Sequence, residues 1–183
     1  MVYVFLADGF EEIEAIAPID ILRRGGIEVK TVGVSDNIVT GTHGIQLSCD
    51  ITLENATFDN LQGIILPGGM PGTLNLENNL MVQEFIDYCV LNNLIIGAIC
   101  AAPSILGHKG LLKGKKAVCF NGFEKDLIGA DVLNKPCVTD GNIVTAWGAG
   151  AGIDFGFEYL TAITGDKDFS NKLCKSMRYS KGV

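Results

Sequence analysis

The chain has 183 residues, 48% of them hydrophobic, and a mean hydropathy of +0.30, so we expect one domain over residues 1–183 with a substantial core. Its formal net charge is −7 and its pI is about 4.7, which argue against nucleic acid or an anionic membrane as the main partner, because both attract clustered Lys and Arg. No apolar run approaches the roughly 20 residues that cross a bilayer, so we expect no membrane-spanning helix.

The first residues of the chain predict a βαβ unit. Residues 2–7 form an apolar run typical of a buried strand, and residues 27–34 predict a second strand. Between them, residues 11–26 show helical apolar spacing, with acidic residues early, basic residues late and a glycine stop. Pro18 lies inside this segment, so we expect a kink, or a short first turn ahead of the main helix.

A hairpin, a strand and a helix are predicted next. Residues 35–50 mix Thr, Gly and Asn with spaced apolar residues, which indicates a small hairpin at the sheet edge. Residues 63–67 predict another buried strand, and the glycine-rich residues 68–72 after it would let backbone N–H groups approach a ligand. The following helix has one apolar face, made of Val82, Phe85, Ile86, Cys89 and Val90.

Cys100 lies where an apolar strand at residues 94–99 runs into a helix. Pro103 suits the first turn of that helix, and small residues leave room for a sharp turn of the nucleophile-elbow kind. These small residues are Gly97, Ala98, Ala101 and Ala102. Because a helix N-terminus favours an anion, we expect a lowered pKa for the Cys100 thiol. An inert buried cysteine is the alternative, and the strand-to-helix position favours the reactive one.

The last part of the chain predicts short strands followed by two helices. The β segments are expected at residues 117–120, 137–139 and 143–146. A turn from Trp147 leads into a helix at residues 153–163. The final helix has an apolar face for the core or for an interface, made of Phe169, Leu173, Cys174 and Met177.

The six cysteines are interpreted as thiols, because a domain this large and apolar needs no disulfides. They are Cys49, Cys89, Cys100, Cys119, Cys137 and Cys174. The N-terminus lacks a basic leader and turns acidic at once, unlike a secretory signal, so we expect a cytoplasmic protein. No CxxC pair occurs, and with only His43 and His108 available the sequence predicts no metal site.

Three features follow the carboxyl ends of predicted strands: Glu14, the Gly68-Gly69 pair and Cys100. An open α/β sheet collects its site at these ends, so the three are expected to converge. Taken alone, Glu14 is interpreted as an exposed acid that stabilises the helix dipole, whereas Gly68-Gly69 fits a simple turn and a ligand-binding loop equally well.

Four ordered motifs resemble those of the ThiJ/PfpI superfamily, most closely its parkinsonism-associated protein deglycase and glyoxalase III-like branch. They are Ala7-Asp8-Gly9-Phe10-Glu11-Glu12-Ile13-Glu14, Pro18-Ile19-Asp20-Ile21-Leu22-Arg23-Arg24, Leu66-Pro67-Gly68-Gly69 and Ala98-Ile99-Cys100-Ala101-Ala102-Pro103. The resemblance extends over nearly the whole chain. It implies a flavodoxin-like α/β fold, a three-layer sandwich with a mostly parallel sheet similar to class I glutamine amidotransferases, and a homodimer.

The same resemblance implies the roles of the site residues. Cys100 would be the nucleophile and Glu14 its protonated partner, with oxyanion donors in the backbone of Gly68, Gly69 and Ala101. It implies a glutathione-independent glyoxalase or protein deglycase that needs no cofactor and acts on methylglyoxal-type dicarbonyls or their adducts. Two neighbouring anions disfavour each other, so we expect Cys100 and Glu14 to share one proton and titrate together.

Departures from the family pattern concern the pocket rim. Phe120 stands where a histidine is often found, and Trp147 stands where the closest branch often has Arg. These two and His43 from the hairpin are the rim candidates, although an exposed position in the hairpin is favoured for His43. His108 follows Cys100 by eight residues, about 12 Å along a helix, so we expect it not to reach the sulfur.

Two alternative functions stay open. One is a redox-sensing stress protein or chaperone, in which Cys100 oxidises to a sulfinate beside Glu14. The weaker one is a cysteine hydrolase of the protease-like branch. That branch has a histidine directly after its cysteine, and Ala101 stands here instead.

Overall fold

The computed structural model describes residues 1–180 of the chain. This part contains eleven strands and six α-helices, joined by loops and short 3-10 turns. The strands are β1 Val2–Leu6, β2 Val29–Gly33, β3 Ile38–Thr40, β4 Gln46–Ser48, β5 Ile51–Thr52, β6 Gly63–Leu66, β7 Ile95–Ile99, β8 Lys116–Ala117, β9 Asp131–Val132, β10 Cys137–Asp140 and β11 Ile143–Ala146. The helices are α1 Glu12–Arg24, α2 Gly72–Glu77, α3 Leu80–Leu91, α4 Pro103–His108, α5 Gly152–Thr164 and α6 Lys167–Ser176. Within this range, the helices are all too short or too polar to cross a bilayer.

Seven strands form the central sheet, in the order β10-β11-β7-β6-β1-β2-β5. All neighbouring strands are parallel except β10 and β11. The predicted α/β fold, a flavodoxin-like three-layer sandwich with a mostly parallel sheet, is confirmed. Because β1, β6 and β7 are adjacent, the segments that leave their carboxyl ends start from the same edge of the sheet.

Alternate residues of the central strands point to opposite layers, as the two-residue period of a strand requires. Tyr3 and Phe5 of β1 belong to one core cluster, which includes Phe85 of α3. Val4 of β1 belongs to the other cluster, which includes Phe155 of α5. On this second face α1 packs against α5, and that contact fixes the position of the α1 N-terminus over the sheet.

Helix α1 runs without interruption from Glu12 to Arg24, so the expected short first turn ahead of a separate main helix is wrong. The Glu11 side chain caps the helix by accepting a hydrogen bond from the Glu14 N–H at 2.8 Å. Pro18 remains buried inside the helix, although it has no N–H to donate to the carbonyl four residues earlier. The cap and the packing against α5 offset that missing bond.

Two other expectations need correction. Val90 was expected on the buried face of α3 but is 39% exposed, whereas the other four residues of that face are buried. The strand predicted at residues 117–120 is only β8, Lys116–Ala117, which pairs with β9 outside the central sheet. The ladder stops there because the Val118 N–H donates to the Thr145 hydroxyl at 3.0 Å instead of to a neighbouring strand.

The predicted hairpin is confirmed, since β3 and β4 pair antiparallel in a separate two-stranded sheet. The remaining predicted strands and helices are present, with ends that differ by a few residues. The last helix, α6, buries Cys174 and leaves Phe169 37% exposed.

Candidate active site

Cys100 occupies a sharp turn between β7 and α4. Its φ is +66°, in the left-handed region that a residue with a side chain rarely adopts. Two backbone hydrogen bonds hold it there: its N–H donates to the Ala146 carbonyl at 2.9 Å, and its carbonyl accepts from the Phe120 N–H at 2.8 Å. The surrounding strands therefore impose the strained conformation, as in a nucleophile elbow. The cysteine is half-buried.

Glu14 is the third residue of α1, and only 1% of it is exposed. Its Oε2 accepts a hydrogen bond from the Gly68 N–H at 2.9 Å, and its carboxyl interacts with the Cys100 thiol. Apart from that thiol, Oε1 has no hydrogen-bond partner among residues 1–180. Burial of a carboxyl with so few hydrogen-bond donors around it disfavours its ionised form.

The loop after β6 is tied to the start of α1 in both directions. The Gly68 carbonyl accepts a hydrogen bond from the Glu11 N–H at 2.9 Å, while the Gly68 N–H donates to Glu14. Gly68 therefore has no N–H left for an oxyanion, and the expectation that it is an oxyanion donor is wrong. The N–H groups of Gly69 and Ala101 instead donate to the Cys100 sulfur. These two are the donors available to an oxyanion formed at this position.

Burial raises the pKa of Glu14 to about 7, and the nearby Glu11 contributes in the same direction. Hydrogen bonds from Cys100 and from the Gly68 N–H offset part of this rise. The carboxyl is thus poised to gain or lose a proton near neutral pH, the range in which a general acid or base is most effective.

The pKa of the Cys100 thiol is raised to about 12. Burial is the largest cause, and the charge of Glu14 and the hydrogen bond to it act in the same direction. This is opposite to the direction expected from a helix N-terminus. The N–H groups of Ala101 and Gly69 lower the pKa but do not compensate, and α4 has only six residues and begins with Pro103, which lacks an N–H. Burial and the negative charge of Glu14 thus both disfavour the thiolate. The pair therefore retains one proton between about pH 7 and about pH 12.

Gly68 separates the two reactive side chains, and its lack of a side chain permits their approach. A Cβ at this position would lie 2.6 Å from both the Cys100 Cβ and the Glu14 Oε2. We expect Gly68→Ala to displace the pair, to lower the free energy of unfolding by about 1–3 kcal/mol, and to change the alkylation rate of Cys100 severalfold. Denaturant unfolding and mass spectrometry of the alkylated cysteine measure the two effects.

Gly26→Ala is the matched control for this substitution. Gly26 has a φ of +73°, and an added Cβ meets nothing within 4 Å, so this variant costs backbone strain without touching the site. Its unfolding free energy is expected to fall while Cys100 alkylation stays at the wild-type rate. Equal alkylation rates in Gly68→Ala and wild type would contradict the steric role of Gly68.

A cavity of about 420 Å3 opens next to the pair, and Phe120 and Trp147 line it. Gly148 also lines it, and a Cβ there would lie 3.8 Å from both the Cys100 sulfur and the Glu14 Oε1. The structure thus places two of the three rim candidates at this cavity. Sequence reasoning missed Gly148, although the glycine-rich turn after Trp147 was a visible signal.

His43, the third rim candidate, does not line this cavity. Its backbone N–H and its ring Nδ1 both contact the Glu12 carboxylate at 2.7 Å. The hydrogen bond to Glu12 raises the pKa of His43. Burial raises the pKa of Glu12, but hydrogen bonds from His43 and other neighbours outweigh it and lower that pKa to about 2. His43 therefore fastens the hairpin to the start of α1.

One group of side chains in residues 1–180 brings three potential metal ligands within 4.8 Å of one another: Glu11, Glu12 and His43. Their oxygens already accept hydrogen bonds from the α1 backbone, from Thr42 and from His43. We therefore interpret the group as a network that holds the helix start. His108 lies in the last turn of α4 and contacts Glu77 and Asp126.

All six cysteines are thiols rather than members of disulfides, as predicted. Four of them are buried, and Cys137 is half-buried like Cys100. Burial raises the pKa of Cys89 to about 12 and those of Cys49 and Cys119 to about 11. Cys100 has the strained backbone, and its thiol is hydrogen-bonded to the Glu14 carboxyl.

Comparisons with known proteins agree with this geometry. The model of the DJ-1/PfpI family matches residues 1–162. Protein DJ-1 homolog B of Arabidopsis thaliana is 34% identical over 167 residues, 90% of this chain and 38% of that protein. The chain spans about two fifths of the length of the two Arabidopsis relatives that it matches.

A protein named deglycase from Pyrococcus abyssi is 30% identical over 148 residues, 79% of this chain and 88% of that protein. Among solved structures, oxidised Toxoplasma gondii DJ-1 has a TM-score of 0.92 and 30% sequence identity, and the match covers 98% of both chains. The likeness therefore extends over the whole sheet and its helices.

Proposed function

This chain belongs to the DJ-1/PfpI family, and on that premise we propose that it is a Cys100-dependent, glutathione-independent glyoxalase or protein deglycase. Its substrates would be dicarbonyls of the methylglyoxal type or the adducts that they form with proteins. The observation that carries the proposal is the pair itself: a cysteine held on a strained elbow beside a buried carboxyl whose pKa is near 7. The deglycase name of the Pyrococcus relative supports the same class of reaction.

The reaction begins when the pair carries one proton. With that proton on Glu14, the Cys100 thiolate adds to the aldehyde carbon of methylglyoxal, and a carbon–sulfur bond forms as the aldehyde π bond breaks. The oxyanion is held by the N–H groups of Gly69 and Ala101 and takes the proton from Glu14. The product of this step is a hemithioacetal beside an ionised Glu14.

The ionised Glu14 then acts as a general base. It removes the hydrogen from the former aldehyde carbon to give an enediol, and returns a proton to the neighbouring carbon. The result is a thioester of a hydroxy acid on Cys100. Water cleaves this thioester to release lactate and restore the thiol, so the net reaction adds one water to methylglyoxal and needs no redox partner.

The unpartnered Oε1 of Glu14 suits this proton transfer. An oxygen that already accepted a protein hydrogen bond would have to break it before moving a proton, whereas Oε2 is held by the Gly68 N–H and fixes the orientation of the group. We therefore propose that one carboxyl oxygen positions the group and that the other transfers the proton.

The test is formation of lactate from methylglyoxal in the absence of glutathione. We expect the wild-type protein to produce lactate in proportion to methylglyoxal consumed. A protein that consumes no methylglyoxal, or consumes it without forming lactate, would contradict the proposal.

The redox-sensing alternative is favoured by the same N–H groups and by the raised pKa of Glu14, which favours a protonated carboxyl that can donate. A sulfinate on Cys100 would accept hydrogen bonds from Gly69 and Ala101 and from a protonated Glu14. Mass spectrometry after mild peroxide treatment separates the two functions. Oxidation that is spread evenly over all six cysteines would count against a sensor.

We also propose that the chain forms a homodimer through the outer face of α1. Ile13 and Ile16 are 54% and 43% exposed, and with Ile153 of α5 they border an apolar groove of about 510 Å3. A second copy of the same face would cover these side chains, as the symmetry of an isologous interface allows. Sedimentation at the mass of one chain would rule this out.

A further inference from the structure

The cavity beside Cys100 is larger than the smallest substrate of the proposed reaction requires. Its volume of about 420 Å3 falls within the usual range of ligand pockets. At about 30 Å3 for each water-sized group, it has room for about a dozen such groups. A three-carbon dicarbonyl bound at the sulfur would leave most of that space to solvent.

Two residues that line the cavity also approach the reactive pair. Gly148 contributes to the lining, and a Cβ built on it would lie 3.8 Å from the Cys100 sulfur. Phe120 lines the cavity too, and its N–H binds the Cys100 carbonyl. A substrate carbon bonded to the sulfur would therefore extend its other end along the Phe120 side of this cavity.

The lining has the chemistry of a site for a neutral hydroxylated chain. Phe120 and Trp147 are 50% and 39% exposed, so their rings are open to the C–H groups of a ligand. Asn121 and Asn134 line the same space, and within residues 1–180 no hydrogen bond engages either side-chain amide. Each amide offers two donor hydrogens and an acceptor oxygen, which match hydroxyl groups.

The lining also argues against other ligands. The residues around this cavity are aromatic, amide and small, and none carries a charge. A phosphorylated sugar would need a cation for its phosphate, and none of the lining residues supplies one. The same three residues, Asn121, Asn134 and Trp147, also line an adjoining cavity of about 410 Å3, which leaves space for a longer chain.

From this we propose that the cavity binds the hydroxylated tail of a sugar-derived 2-oxoaldehyde of five or six carbons, with Asn121 and Asn134 on its hydroxyls and Phe120 and Trp147 on its C–H faces. The proposal rests on the proposed dicarbonyl function and names the substrate class of that site. Asn121 and Asn134 would thus determine specificity, while Cys100 and Glu14 perform the reaction at the common 2-oxoaldehyde end.

The first test measures binding alone, because Trp147 is the only tryptophan of the chain. The wild-type protein is titrated with 3-deoxyhexitol, which has the hydroxylated chain but no carbonyl to react. We expect a saturable change in tryptophan fluorescence, and a dissociation constant about tenfold or more higher in the Asn121→Ala/Asn134→Ala double variant, from the loss of two hydrogen bonds. Asn78→Ala, an exposed asparagine at a separate cavity, is the control and should bind as wild type.

The second test compares kcat/KM for 3-deoxyglucosone and for methylglyoxal. We expect the wild type to favour the six-carbon substrate, and the double variant to lower the ratio of the two values by about tenfold or more. A ratio that is unchanged in the double variant, or no fluorescence response to the polyol, would overturn the sugar assignment. A change in tryptophan fluorescence with a glycated peptide but not with the polyol would also overturn it, because the cavity would then be a peptide site.

The two proposals fail in different ways. Cys100-dependent turnover of methylglyoxal without a preference for the longer substrate removes the subsite and leaves the proposed function intact. Polyol binding that depends on Asn121 and Asn134, together with no turnover of either dicarbonyl, removes the proposed function and shows that the cavity itself binds such a chain.

Discussion

Replacing Cys100 with alanine is expected to reduce kcat for methylglyoxal by at least about a thousandfold, because no other group in the site can form the covalent intermediate. The fold should survive, since alanine fits the space of the thiol and the backbone contacts of residue 100 are made by its N–H and carbonyl. The substitution removes only the half-buried sulfur atom. The unfolding midpoint in denaturant measures any change in stability.

Cys137→Ala is the matched control, because Cys137 is the other half-buried cysteine and lies on β10 at the edge of the sheet. This variant should keep the wild-type kcat. Full turnover in Cys100→Ala, or an equal loss in Cys137→Ala, would show that the reaction does not depend on the elbow cysteine.

Replacing Glu14 with glutamine is expected to lower kcat by about 10²–10⁴-fold, the usual contribution of a positioned general acid or base. Glutamine keeps the shape of the side chain and an oxygen for the Gly68 N–H, but it cannot accept or release the proton that must move between the two substrate carbons. Steady-state kinetics with methylglyoxal measure the loss. Glu11→Gln is the control: it changes the residue that caps α1 next to the site, and it tests whether a neighbouring carboxylate has the same effect.

The same substitution is expected to stabilise the protein above neutral pH. The pKa of Glu14 is raised from 4.5 to about 7, so the folded state holds the proton more tightly than the unfolded state, and stability falls as the pH rises through this window. At about 1.4 kcal/mol per pH unit, the ionised carboxylate costs about 3 kcal/mol at pH 8. Glu14→Gln removes that cost at pH 8 and removes little at pH 4.

Activity and stability should therefore change in opposite directions in Glu14→Gln. A residue with a purely structural role would lose both together. Urea unfolding at pH 4 and pH 8 provides the comparison, and a variant that is less stable than wild type at pH 8 would contradict the raised pKa of Glu14.

The arrangement of the sheet could be predicted from sequence because its central strands are buried on both faces and read as apolar runs. The elbow could be predicted as well, since Cys100 lies between such a run and Pro103. The meeting of Glu14 with Cys100 follows from the rule that the carboxyl ends of parallel strands share an edge.

What could not be predicted depends on packing between distant segments. The pKa of Cys100 rises because burial and the charge of Glu14 outweigh the two backbone donors, and burial depends on segments distant in the sequence. Gly68 was expected to bind an oxyanion, yet its N–H is taken by Glu14 across 54 residues of sequence. His43 was a possible rim residue, with an exposed hairpin histidine as the favoured alternative. It is exposed and binds Glu12, because the hairpin folds back onto the start of α1.

The central claim is that one proton is shared between Cys100 and Glu14, so that a thiolate forms when the carboxyl is protonated. The most direct measurement is the rate of Cys100 alkylation by iodoacetamide as a function of pH, read by mass spectrometry of the wild type and of Glu14→Gln. The expected result is a wild-type midpoint near pH 7, at the first ionisation of the pair, and a higher midpoint in the variant. A wild-type thiol that stays unreactive until about pH 12, as a buried cysteine beside a permanently ionised carboxylate would, would contradict the account.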